Sequence, residues 1–128
     1  MPAYIEYEDK LKEAGVDKVF VYCVNDPAVM TAWAKDQGVP IYGDDEGDSF
    51  VTFLSDANGS FTKACDMEMV HPGPYGVGII GRCKRWAFYA TKGEVKVVNV
   101  SDYEGDPAGD GYPELSLPAA MIEAIGKV

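Results

Sequence analysis

The strongest constraint on the fold is the run Lys18-Val19-Phe20-Val21-Tyr22-Cys23-Val24. From Val19 onward it holds only β-branched, aromatic or cysteine residues, with no alternation to mark a solvent face. A strand apolar on both sides is expected to be buried on both faces, as in an α/β sheet with helices packed above and below. Asn25-Asp26-Pro27 follows at once and starts a helix: Asp26 can cap it, and Pro27 suits the first helical position, where no N–H is required. Val29, Met30 and Trp33 share one face of that helix and read as core, and Gly38 ends it.

The neighbouring segments extend the pattern. Tyr4 to Glu13 reads as a helix, with Gly15 placed to end it. A Gly- and Asp-rich loop covers 39–48, Ser49 to Leu54 is a second strand, and Asp56 to Gly59 is a turn. Ser60 to Met67 reads as a short helix and His71 to Gly81 as an irregular loop rich in Pro and Gly. Arg85 to Ala90 and Glu94 to Val100 form a hairpin around Thr91-Lys92-Gly93. A polar loop spans 101–113, and Leu117 to Val128 is the last helix, with Ser116 as its cap and Pro118 in its first turn. The order α-β-α-β-α-β-β-α closes on the β-β-α unit of a thioredoxin fold, whereas the opening β-α-β unit starts here at its helix. With 128 residues, 47 % apolar and 12 % aromatic, the chain suits one domain with a core of its own.

Charge and cysteine content exclude several functions. The formal net charge is −10, so a phosphate backbone is repelled and nucleic acid is not an expected partner. Asp44, Asp45, Glu46 and Asp48 form one acidic cluster, and Asp102, Glu104, Asp106 and Asp110 another. Both read as solvated loops, with a weak cation site as the rival reading. The first lacks the alternating ligands and terminal glutamate of an EF-hand. No apolar run is long enough to span a membrane, and Met1 to Glu6 has no secretory or transit character. The three cysteines, Cys23, Cys65 and Cys83, make no CxxC pair. No disulfide framework or zinc site follows, and a reducing compartment fits. No metal or resident cofactor is expected.

Several segments resemble the Prx5-like (atypical) peroxiredoxins, in the family's order. Pro2-Ala3-Tyr4-Ile5-Glu6 is similar to the stretch after the reactive cysteine in its helix. Cys23-Val24-Asn25-Asp26-Pro27-Ala28-Val29-Met30-Thr31-Ala32-Trp33 resembles the motif SVNDxFVMxAW. Leu54-Ser55-Asp56-Ala57-Asn58-Gly59-Ser60-Phe61-Thr62-Lys63 resembles LADGNGxFTK. Gly81-Arg82-Cys83-Lys84-Arg85-Trp86 resembles GxRSxRY, and Val95 to Val100 resembles VKxLNV. The resemblance covers nearly the whole chain and implies a single redoxin domain over residues 1–128 with a thioredoxin-like α/β fold of the peroxiredoxin type.

What the resemblance implies about function is thiol-dependent hydroperoxide reduction. A thiolate at a helix N-terminus attacks the O–O bond and becomes a sulfenic acid, which a second thiol restores. Carried over by residue, Arg85 corresponds to the arginine that holds the thiolate and polarises the peroxide, with Arg82 near the rim. The implied partners are a hydroperoxide and a glutathione/glutaredoxin or thioredoxin reductant. Because the family often forms dimers, a second copy of the chain is a candidate partner. The implied location is intracellular, cytoplasmic or organellar.

The family signature Pro-x-x-x-Thr-x-x-Cys does not occur in the chain, and the helix that should carry the cysteine begins at Pro2. The chain is therefore expected to lack the family's N-terminal strands, including the central one, together with the peroxidatic cysteine, and to be inactive alone. That strand belongs between the strands at 18–24 and 85–90. Its loss exposes backbone groups at about 1–3 kcal/mol each when buried unpaired, against a typical domain stability of about 5–15 kcal/mol. Among the thiols present, Cys23 in its apolar strand reads as inert and Cys65 sits at the wrong pole of a helix. Cys83, flanked by Arg82, Lys84 and Arg85, is the one candidate for a reactive thiol. His71 reads as a loop residue. The alternative function is a peroxidase-dead redoxin module that binds partners through the family's dimer face.

Overall fold

A computed structural model describes residues 2–39, 49–70, 72–101, 111 and 113–128. Both acidic clusters and His71 lie outside the described residues. The elements are α1 (Pro2–Glu6), α2 (Glu8–Glu13), β1 (Val19–Cys23), α3 (Pro27–Gln37), β2 (Val51–Ser55), α4 (Ser60–Ala64), α5 (Pro72–Gly76), β3 (Trp86–Thr91) and β4 (Glu94–Val100). A 3₁₀ turn (Pro113–Ser116) and α6 (Pro118–Ile125) follow.

The expected first helix is two short ones. It breaks at Tyr7 (φ −92°, ψ 13°), although Tyr7 N–H still donates to Ala3 O and its own carbonyl still accepts from Leu11. Gly15, at φ 97°, ends α2. Its N–H bonds Lys12 O while Val16 N–H bonds Leu11 O, which satisfies two of the carbonyls a helix end leaves unpaired. Gly38 (φ 72°) repeats the device after α3, with Val39 N–H on Ala34 O. Each motif folds an apolar residue, Val16 or Val39, back onto the core. At the other end of α3, Asp26 Oδ1 accepts from Val29 N–H at 2.8 Å with Pro27 in the first turn, as the sequence predicts.

β1 and β2 pair in parallel, Val19 opposite Val51 through Cys23 opposite Ser55, and α3 packs on β2. β3 and β4 form an antiparallel hairpin, covered by α6. Its loop residues Lys92 (φ 54°) and Gly93 (φ 77°) both take the left-handed conformation that matches a two-residue turn to strand twist. Leu11, Ala34, Val39, Phe50 and Val51 form the core, with Tyr4, Ile5, Val16, Val19, Val21 and Ile122 against it.

Several expectations are corrected. β1 is not buried on both faces: Phe20 is 59 % exposed. Among the described residues β1 has β2 as its one strand neighbour and β3 has only β4, so no described strand joins the two sheets, and the Phe20 ring meets the Lys18 ammonium at 5.8 Å. Val29 also faces outward, whereas Met30 is buried and Trp33 packs on Phe53 at 4.7 Å between ring centroids. Part of the 71–81 loop is helical, as α5. Ser116 does not cap α6. The 3₁₀ turn draws Ser116 inward, where its hydroxyl bonds Ser101 and Pro113, and Leu117 stands at the cap position without a side-chain bond.

Candidate functional site

Of the residues singled out by sequence, Arg82, Cys83 and Arg85 lie on the stretch 82–86 leading into β3, and Arg82 carries it to the C-terminal end of β1. That stretch is pinned on two sides. On one side it pairs with 67–69: Met69 N–H donates to Arg82 O at 2.7 Å, Lys84 N–H to Met67 O at 2.8 Å, and Cys83 bridges Glu68. On the other side Arg82 reaches across to the β1–α3 connection. Its Nη1 donates to Val24 O and, at 3.0 Å, to Asn25 Oδ1. Arg82 therefore ties two sheets together, with its guanidinium engaged on a backbone carbonyl.

Arg85 stands at the start of β3 and is exposed. Its carbonyl is held by Ser101 N–H at 2.8 Å. Ser101 is fully buried, and its Oγ accepts from Ser116 N–H at 3.2 Å while the two hydroxyls lie 2.9 Å apart. The carbonyl of Ser116 in turn accepts from the Tyr4 hydroxyl of α1. Burial pushes the Tyr4 phenol up to about 12, so it remains a donor at neutral pH. A relay of buried polar groups thus ties the helix that begins at Pro2 to the backbone of Arg85. Sequence reading missed this relay because nothing distinguishes Ser101 and Ser116 from loop serines until the fold buries them.

A second missed cluster joins the sheets. Trp86 Nε1 donates to the Tyr22 hydroxyl at 2.9 Å. Thr62 Oγ1 lies 3.2 Å from the same oxygen and donates at 2.7 Å to Asp56 Oδ2. Phe61 sits 5.0 Å from Tyr22, edge to face, and Trp86 stacks on Phe88 at 5.1 Å. Burial pushes Tyr22 up to about 12, partly opposed by the bonds from Thr62 and Trp86. Asp56 is 8 % exposed. Burial raises its pKa, but bonds from the Thr62 hydroxyl and the Thr62 and Phe61 N–H groups outweigh that and hold the carboxyl below its usual range. Asp56 was expected only in a turn; it also supplies the acceptor that α4 needs at its N-terminal end.

The three thiols are free and half-buried. Cys23 closes β1, and burial raises its pKa, with Cys83 adding to the rise and Arg82 opposing it. Cys65 stands at the C-terminal end of α4. Cys83 lies on the 82–86 stretch, half-buried and free, where its backbone bridges Glu68. Among the described residues no group of three His, Cys, Asp or Glu side chains is arranged to hold a metal ion.

With this geometry in hand, known proteins give the family. Residues 1–110 match the redoxin family. The chain is 36 % identical over 103 residues to chloroplastic peroxiredoxin-2E of Arabidopsis thaliana, covering 80 % of this chain and 40 % of that protein. It is also 36 % identical over 102 residues to peroxiredoxin-2C of Oryza sativa subsp. japonica, covering 56 % of it. Its fold superposes on the crystal structure of reduced Prx3 from Vibrio vulnificus with a TM-score of 0.74 at 30 % identity, covering 98 % of this chain and 68 % of that one. Against peroxiredoxin 5 from Alvinella pompejana the TM-score is 0.66 at 27 % identity, covering 99 % and 68 %. The chain thus spans about half the length of the curated relatives it matches. Its strand order, the junction at Arg82–Trp86 and these matches agree: the chain belongs to the redoxin family and is a peroxiredoxin-type chain.

Proposed function

We propose that the polypeptide to which these residues belong is a thiol-dependent hydroperoxide reductase of the Prx5-like kind, with its reactive sulfur supplied from outside residues 1–128. Arg85 is its thiolate-holding and peroxide-polarising residue, and residues 1–128 are one partial redoxin domain. The observation that carries this reading is the relay from Tyr4 through Ser116 and Ser101 to the Arg85 carbonyl. It fixes the helix starting at Pro2 against the strand that Arg85 begins. A thiolate one turn before Pro2 would sit at the positive pole of that helix, where a lowered pKa makes it nucleophilic. The unjoined edges of β1 and β3 support a further strand between them. By the chemistry of the family the oxidised sulfur returns to the thiol at the expense of glutathione with glutaredoxin, or of thioredoxin. The relatives named above include a chloroplastic protein, which supports an organellar or cytoplasmic location, and a homodimer is the partner the family favours.

The test compares the 128-residue chain with the same chain extended by a redoxin N-terminal segment carrying Pro-x-x-x-Thr-x-x-Cys. Peroxide consumption is followed with glutaredoxin/glutathione and with thioredoxin. The expected result is turnover only in the extended protein, lost on Arg85→Ala. Ordinary peroxiredoxin rates from the 128-residue chain, abolished by Cys83→Ser, would refute the reading. An inactive extended protein that folds would favour a partner-binding module without peroxidase chemistry.

A further inference from the structure

The stretch from Met69 to Arg85 departs from the rest of the chain in charge. It holds Arg82, Lys84 and Arg85 and no Asp or Glu, within a chain of formal net charge −10. Its two ends are clamped together: Met69 N–H donates to Arg82 O at 2.7 Å, and Lys84 N–H to Met67 O at 2.8 Å. The loop between them carries five exposed apolar side chains, Val70, Tyr75, Val77, Ile79 and Ile80. Val77, at 76 % exposure, is the most exposed large apolar residue described, and Ile80 stands at 64 %. The loop also satisfies much of its own backbone. Val77 N–H donates to Pro74 O at 3.2 Å, Gly78 N–H to Tyr75 O at 3.2 Å and Ile79 N–H to Pro74 O at 2.9 Å, while Pro72 and Pro74 have no N–H to satisfy. Around Val77 few amides therefore lose water if the loop enters an apolar phase. At its foot, among the described residues, the Arg82 guanidinium bonds only neutral acceptors, Val24 O and Asn25 Oδ1, which leave its charge uncancelled.

We infer that this loop docks on the surface of a lipid bilayer carrying anionic phospholipid, with Val77 and Ile80 entering between the headgroups and the cations of residues 82–85 at headgroup level. The inference does not rest on the proposed peroxidase reaction. Exposed apolar residues grouped on one loop mark a docking site, and aliphatic side chains beside a tyrosine suit the boundary between headgroups and acyl chains. Charge selects the occupant. The cations after Ile80 match an anionic leaflet, whereas the acidic remainder of the chain is repelled by it, which turns this loop toward the lipid. A second copy fits less well. A two-fold contact sets the same patch against itself, bringing Arg82, Lys84 and Arg85 near their own copies, and one loop falls short of the roughly 800 Å² per partner of a standard interface. No described helix is long and apolar enough to cross a membrane, so the contact inferred is peripheral.

The test mixes the 128-residue chain with sucrose-loaded vesicles of phosphatidylcholine, alone or with phosphatidylserine at about 30 mol %, and measures the fraction that pellets. The expected partitioning onto phosphatidylserine vesicles is at least about fivefold above phosphatidylcholine alone, the effect of one basic residue at an anionic surface, and it falls as salt is raised to about 1 M. Val77→Asp and Ile80→Asp each lower it about tenfold or more. Val128→Asp, at a comparably exposed apolar residue outside the loop, leaves it unchanged. Far-UV circular dichroism checks that the variants fold. No partitioning onto phosphatidylserine vesicles, equal partitioning onto both kinds, or folded loop variants that bind like the parent would overturn the inference. Sedimentation of the chain without lipid tests the rival occupant: a dimer that Val77→Asp converts to monomer assigns the loop to a second copy and overturns it too. Where a loop variant does not fold, the lipid and salt dependence of the parent chain decides.

Discussion

Replacing Thr62 by valine isolates one hydroxyl in the link between the two sheets. Thr62 is 1 % exposed, and its hydroxyl donates to the Asp56 carboxylate at 2.7 Å. Valine fills the same volume, so no cavity adds to the effect. The change removes a hydrogen bond to a charged group, a contribution of about 1.5–3 kcal/mol, and leaves Asp56 with the Phe61 and Thr62 N–H groups. We expect a loss near 2 kcal/mol at pH 7, a fall of about 1 M in the urea midpoint at an m-value of about 2 kcal/mol/M. The pH dependence gives a second reading. The folded-state pKa of Asp56 is lowered, so its stabilising effect is fully present above the unfolded value of about 3.9 and is lost as pH falls through the folded pKa. Without the Thr62 hydroxyl that pKa moves up, so the penalty is largest at neutral pH and narrows in acid. Urea melts of both proteins between pH 3 and 7, followed by far-UV circular dichroism, measure it. A penalty that stays constant across this range would refute the assignment of the effect to the Asp56 charge.

Four further outcomes are expected. Tyr22→Phe strands the Trp86 indole N–H, costing about 1–3 kcal/mol and shifting tryptophan fluorescence; an unchanged spectrum counts against the link. Ser101→Ala leaves the buried Ser116 N–H without its acceptor and lowers stability by a similar amount in urea melts. Leu11→Ala, at 2 % exposure, opens a core cavity and costs about 2–5 kcal/mol. Gly38→Ala meets no atom within 4 Å yet places a Cβ at φ 72°, so any loss, about 1–2 kcal/mol, is backbone strain, read as a drop in thermal midpoint.

Much of the fold was legible because local chemistry decided it. Asp26-Pro27 starts α3, Gly15 and Gly38 stop their helices, and Lys92-Gly93 sets the hairpin with β4 bounded as expected. The signals that misled were those whose meaning depends on distant neighbours. Phe20 and Val29 are apolar, and whether they are buried depends on what covers them. Ser116 has the chemistry of a cap, but the 3₁₀ turn before it rotates the hydroxyl toward Ser101 instead. Of the candidate site, motif order singled out Arg82, Cys83 and Arg85, and burial shifts the Cys23 thiol upward, the direction expected of a thiol in an apolar strand. Tyr22, Asp56, Thr62 and Trp86 could not be grouped from sequence, because their contacts span 40 residues between Tyr22 and Thr62 and 64 between Tyr22 and Trp86.

Each of the four described strands has one strand partner, so each turns a flank of alternating amides and carbonyls away from its own ladder. In such a ribbon only every second amide is locked by a neighbour, and hydrogen exchange should show that alternation along β1 and β3 in place of uniform protection. The flanks also invite strand addition. An extended peptide that slows exchange at the intervening amides of both strands would be reading the groove between them, and at high concentration the chain itself becomes the most available peptide.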